Sequence, residues 1–202
     1  MMNKGLLAMI TSVALLMPMV SLAEWTLDGA HSSLGFVSIK NGLVVESHDF
    51  KNLSGSIEAD GDAELVIDLN SVDTLIPIRN ERIRAMLFNT EKYAEAVVRI
   101  PLDIDRYSGL KIGANATDSV KGTLYLNGIT AEVMTSVIVV RGKSHVVVSS
   151  VKPMILNAAQ WGLVPGIEAL RAIANLTSIT PAVPVSFSLK YNLDVNEDSP
   201  SN

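Results

Sequence analysis

From about residue 33 onward, most of this chain alternates apolar and polar side chains with a period of two, the pattern of strands that bury one face. Leu34, Phe36 and Ser38 share one face of the first such run, while Val37 and Ile39 take the other. Val44 to Phe50 and Leu53 to Ala59 follow, parted only by Lys51 and Asn52. Ala63 to Leu69 comes after the turn signal Asp60-Gly61-Asp62. Further strands are predicted over Ala96 to Ile104, Ser119 to Leu126, Ala131 to Val140, Ser144 to Val151 and Val183 to Tyr191. Asn127-Gly128 and Arg141-Gly142 stand where hairpin turns belong. The expectation is a mainly β chain, a single antiparallel barrel of about eight strands, the size that encloses one small ligand.

Two stretches break this rhythm. Arg79 to Phe88 places Ile83, Met86 and Leu87 at helical spacing, with Arg79 and Arg82 on a neighbouring face. Pro165 to Leu176 predicts a second helix, with Pro165 in its first turn and Ile167, Leu170, Ile173 and Ala174 as its buried stripe. Short helices of this kind can cap a barrel opening.

The chain divides into three parts. Residues 1–23 read as a cleaved secretory signal: Lys4 is the positive start, Gly5 to Val20 the apolar run, and Ser21-Leu22-Ala23 the small-x-small cleavage site. Residues 24–192 form the barrel, and 193–202 a polar tail. The expectation from this segment is export. There is no cysteine, so disulfides, thiolate metal sites and a cysteine nucleophile are excluded. A net charge of −5 argues against nucleic acid and against electrostatic docking on anionic headgroups.

Catalytic signals are weak. The three histidines, His31, His48 and His145, lack the spacing of metal ligands, and no G-x-S-x-G elbow is present. Gly55, Gly61 and Gly128 are isolated turn glycines rather than a phosphate loop, and Asp103 and Asp105 read as a solvated strand end. No catalytic residue, metal or cofactor is assigned, and the chain reads as a binding protein rather than an enzyme. Val, Ile and Leu dominate and aromatics are few, which suits a narrow aliphatic interior. Periodicity alone leaves a filled core and a tunnel equally open.

Three segments tip that balance: Trp25-x-x-Asp28-x-x-His31-Ser32-x-x-x-Phe36, then Ser71-x-Asp73-Thr74 leading to Arg79-Asn80-Glu81-Arg82-Ile83, then Gly122-x-Leu124-x-Leu126-x-Gly128-x-Thr130. In order and spacing they resemble the YceI family, and Val45, Phe50 and Gly55 match a further family stretch. The departures are Asn41, His48, Asn80 and Tyr93-Ala94, where the family commonly has histidine, glycine, aspartate and an aromatic-proline pair. The resemblance implies a periplasmic, lipocalin-like barrel holding a polyisoprenoid or fatty chain. The expected ligand is thus an isoprenoid, quinone or fatty amphiphile, and the further expectations are transient contact with a membrane or membrane protein and a monomeric or homodimeric state.

On that reading the tunnel wall comprises Leu34, Phe36, Phe50, Ile83, Leu87, Phe88, Trp161 and Ile173. Arg79 and Arg82, at i and i+3 on the first helix, suit a pyrophosphate or quinone oxygen, with His48 beside them. They equally suit ion pairs with Glu81, Asp73 or Glu91. Two rivals stay open: an enzyme using a titratable pair such as His48 with an acidic neighbour in the same cavity, and an interaction protein with a filled core and an exposed edge strand.

Overall fold

The computed structural model describes residues 23–194, so the signal reading and the end of the polar tail lie outside the described residues, apart from Ala23, Leu193 and Asp194. Twelve strands form one sheet: β1 (Ala23–Leu27), β2 (Ser33–Lys40), β3 (Val44–Phe50), β4 (Leu53–Glu58), β5 (Asp62–Asp68), β6 (Val72–Asp73), β7 (Glu95–Pro101), β8 (Asn115–Leu126), β9 (Ile129–Arg141), β10 (His145–Ser150), β11 (Met154–Asn157) and β12 (Ala182–Leu193). Three helices join them: α1 (Pro77–Arg82), which runs on as a π-helix over Ile83–Phe88, α2 (Asp105–Ser108) and α3 (Val164–Ile173).

The pairings reduce these pieces to a closed antiparallel barrel of eight strands. β1 and β2 lie end to end along one side of β12, β1 against Tyr191–Leu193 and β2 against Val185–Ser188. β3 and β4 continue each other along β2 and β1, while β5 and β6 do so along β4 and β3. β10 and β11 share the other side of β12. Each long strand thus neighbours its successor in the chain, and the β1–β12 pairing closes the ring.

The breaks are bends built by specific residues. Between β1 and β2, a turn over Gly29–His31 brings Gly29 so near the Leu53 carbonyl oxygen that a Cβ there would stand 2.5 Å away. Asp28 fastens the bend, accepting from His31 Nδ1 at 2.9 Å and from Lys190 Nζ at 2.9 Å, which holds its carboxyl far below the usual range. The Ser32 hydroxyl donates to the Asp28 carbonyl at 2.8 Å and accepts from the Lys190 N–H at 3.0 Å. The Asp-x-x-His-Ser spacing is therefore the clasp of a bent strand.

Predicted and observed strands agree in place with three differences, the first being β1, which lies ahead of the alternating run that starts near residue 33. The run to Ile104 ends at Pro101, because the chain turns at Leu102 and enters α2. β6 and β11, two and four residues long, escape the periodic pattern because so short a run shows no alternation.

Candidate ligand-binding cavity

The barrel is hollow. Its interior holds a cavity of about 490 Å³, within the range that accepts a small-molecule ligand. The wall is almost wholly aliphatic and aromatic, broken by Glu64, Tyr107, Thr135 and Arg141. Space survives because several wall positions carry little or no side chain, among them Ala63, Ala96 and Gly122. Gly122 also sits against the Arg99 backbone, where any larger residue would push β8 off β7.

One end of the barrel is closed by helices. Phe36, Phe50 and Phe88 form an aromatic ladder from the wall to the π-helix, with centroids 5.5 Å and 5.9 Å apart. α3 lies directly on that helix: a Cβ on Gly166 would stand 2.5 Å from the Met86 carbonyl oxygen. Trp161 is buried beneath and donates from Nε1 to the Leu124 carbonyl at 3.1 Å.

Behind Phe36, on the outer half of the β2–β3 hairpin, sits a polar cluster. Glu46 bonds Lys40 and takes both its bonds from Arg79 Nη1, at 2.9 and 2.8 Å. Those cations, Lys40 foremost, hold the Glu46 carboxyl down to about 2. Arg79 also donates to the Thr74 carbonyl. His48 is 3% exposed, tilts on Phe36 at 5.1 Å and shares a 2.9 Å hydrogen bond with Ser38 through Nε2. Burial, with the Arg79 charge adding to it, pushes its imidazole below the usual histidine range.

The opposite end is lighter. α2 spans only four residues and is pinned through Tyr107, whose hydroxyl donates to Asp118 Oδ2 at 2.7 Å, and Arg106, 2.8 Å from the same oxygen. Burial, then the Asp118 partner, pushes the Tyr107 hydroxyl up to about 12. Arg141, Val146 and Tyr191 stand in register across β9, β10 and β12, and all three line the cavity. Arg141 stacks on Trp25 with its guanidinium carbon 4.7 Å from the ring, and among the described residues no carboxylate pairs with it. Burial alone raises Tyr191 to about 12.

The structure sorts the sequence-predicted residues. Leu34, Phe36, Phe50, Leu87, Phe88 and Trp161 stand on the cavity wall. Ile83 is buried in the core but off the wall, because one turn of the π-helix carries it past the opening. Ile173, at the end of α3, is 49% exposed and faces outward. Arg79, Arg82 and His48 do not line the cavity. Arg79 is engaged by Glu46 rather than by Asp73, Glu81 or Glu91, and Arg82 stands half-buried on α1. Asp73 instead accepts from the Leu75 N–H and pairs with Lys51.

Arg141, the one cation on the wall among the described residues, escapes sequence reading because it sits at a hairpin end and reads as a turn residue. Its inward aim depends on the β9 register, whose only trace in the sequence is the alternation through Val137 and Val139. The three histidines lie on separate elements, and among the described residues no group of His, Asp and Glu converges on a metal position.

Comparison with known proteins follows the same lines. A family model described as a YceI-like domain matches residues 25–191. A polyisoprenoid binding domain from Saccharophagus degradans, implicated in plant cell wall breakdown, superposes with a TM-score of 0.84 at 40% identity, over 86% of this chain and 100% of that one. BcnA from Burkholderia cenocepacia shares the fold at 19% identity, with a TM-score of 0.63 over 81% of this chain and 98% of its own. The Campylobacter jejuni YCEI protein does so at 16%, with a TM-score of 0.53 over 86% and 100%. No curated protein matches the sequence.

Proposed function

The chain belongs to the YceI-like family, and we propose that it is a periplasmic, non-catalytic carrier of a long isoprenoid lipid, quinone or similar amphiphile. The observation that carries this reading is the hollow, apolar barrel interior. Each methylene moved from water into such a space gains about 0.8 kcal/mol, so ten would offset roughly 8 kcal/mol of binding costs. A relative that is 40% identical being a polyisoprenoid binding domain supports the same class of cargo. The apolar leader ending at Ser21-Leu22-Ala23 supports export.

The tail lies along the aliphatic wall and the polar head rests at the Arg141 end. There the guanidinium offers N–H donors past the Trp25 ring, and the Tyr191 hydroxyl stands two strands away in register. Arg79, Arg82 and His48, off the wall, keep a structural part under this reading.

Native mass spectrometry of protein purified from its own cell envelope, followed by solvent extraction, tests the proposal. The expected result is a discrete added mass released as a prenyl or acyl species. A bare protein mass that persists after incubation with prenyl lipids and quinones would overturn it.

A further inference from the structure

Two neighbouring tips at the helical end together carry six large aliphatic side chains that face solvent. At the tip of the β2–β3 hairpin Leu43 is 86% exposed, Val44 48% and Val45 64%; before and within α1, Leu75 is 85% exposed, Ile76 44% and Ile78 51%. The two groups are neighbours, because Arg79 reaches Glu46 across the gap between their segments. Clustered apolar exposure of this kind marks an interaction site rather than ordinary surface scatter.

Both tips are held rigidly. Leu75 adopts the left-handed backbone region, φ 63°, which costs a residue with a branched side chain and persists only where the surroundings enforce it. Here Asp73 Oδ1 accepts from the Leu75 N–H at 2.9 Å, and Asn80 Oδ1 accepts from the Thr74 N–H at 2.9 Å. At the hairpin, Asn41 Oδ1 accepts from the N–H and hydroxyl of Thr177 at 2.9 and 2.8 Å, tying the turn to the chain beyond α3. Strain is thus maintained to keep a leucine in water.

Charge and area indicate the occupant. Over residues 40–51 and 73–82, Lys40, Lys51, Arg79 and Arg82 balance Glu46, Asp49, Asp73 and Glu81, so the two tip segments are together neutral on a chain of net charge −5. A neutral apolar tip on an acidic body suits the uncharged surface of a zwitterionic bilayer, with the acidic remainder held away from it. Fully covered, the six side chains offer roughly 600 Å² of apolar surface, and the strength of interfacial membrane binding scales with such area. We infer that the Leu43–Val45 and Leu75–Ile78 tips insert into the interface of a lipid bilayer and dock the barrel there by its helical end. The inference rests on surface features and holds whatever fills the cavity.

Co-sedimentation of the purified protein with phosphatidylcholine vesicles tests it, comparing the wild type with a Leu43→Ser, Leu75→Asn double variant. Asparagine accepts the left-handed region, so the fold is kept. The expected result is vesicle binding insensitive to high salt and weakened about tenfold in the double variant, with an unchanged Tm and an unchanged cargo mass. Absence of wild-type binding overturns the inference, as does equal binding by the double variant or binding only to anionic vesicles that salt reverses. A dimer that dissociates in the double variant, with no vesicle binding, overturns it in favour of contact between copies. Docking by a protein that yields no extractable amphiphile upholds this inference and overturns the carrier reading, so the two fail separately.

Discussion

The two ends of the barrel are closed by different means. At one, α3 and the α1/π-helix are locked together through Gly166, and a half-buried network of Glu46, Arg79, Lys40 and Thr74 fixes the strands around them. At the other, a four-residue helix rests on Tyr107 and Arg106, with a guanidinium and a phenol turned inward. The contrast separates fastening from recognition. Where cations are consumed by carboxylates they hold the structure, and where one, Arg141, has no carboxylate partner among the described residues and stands beside an apolar space, it is available to a ligand. Local opening is correspondingly cheaper at the lighter end, which has less buried surface to lose.

The largest effect that would break this comparison is at Gly166. Replacing it with alanine forces a methyl into the Met86 carbonyl, which overpacking prices at about 2 kcal/mol, or roughly 4–8 °C in Tm. Calorimetry reads the shift, and an unchanged Tm would mean that α3 is not locked. Next is Glu46→Gln, which leaves Lys40 and Arg79 without their shared anion. A loss of about 1–2 kcal/mol in denaturant unfolding is expected, with cargo affinity unchanged. A variant that binds cargo more weakly at full stability would move the recognition role back to the helical end.

Arg141→Met sharpens the contrast from the other side. It keeps an apolar stem against Trp25 and removes the donors. An amphiphile with an anionic head should bind about tenfold more weakly, one with a neutral head nearly as before. Fluorescence titration with a prenyl phosphate and the matching alcohol distinguishes them; equal losses would show that Arg141 only supports the Trp25 ring.

How far the chain could be read follows the same division. Period-two alternation placed the long strands, and helical spacing the two main helices, because those signals are local. The clasp at Asp28 and the motif glycines were visible as spacing, but their purpose depends on Lys190 and Arg99, residues far along the chain. Hollowness was not legible. It depends on whether Ala63, Ala96 and Gly122 face the same space, which is a matter of barrel closure. Arg79 misleads for a similar reason: at a helix start it looks available, and the carboxylate that takes it comes from 33 residues earlier.

The smallest effect is the most discriminating, because the ends should respond to opposite extremes of pH. His48 is buried as the neutral ring and its folded pKa lies below 6.5, so its contribution is complete above that value and lost as pH falls. Glu46 follows, its contribution present above 4.5 and lost on the way down to about 2. Asp28 and Asp118 are also depressed but lose nothing until below 3.8, which leaves the interval between 6.5 and 4.5 to the helical end. Tyr107 and Tyr191 are raised from 10 to about 12, so their contributions are complete below 10 and lost as pH rises towards 12. The chain's two tryptophans report the ends separately, Trp161 beneath the helices and Trp25 under Arg141. In Trp25→Phe and Trp161→Phe proteins, mild acid should shift the emission of Trp161 first, and alkali that of Trp25. The reverse order, or a single transition shared by both, would mean that the two closures act as one.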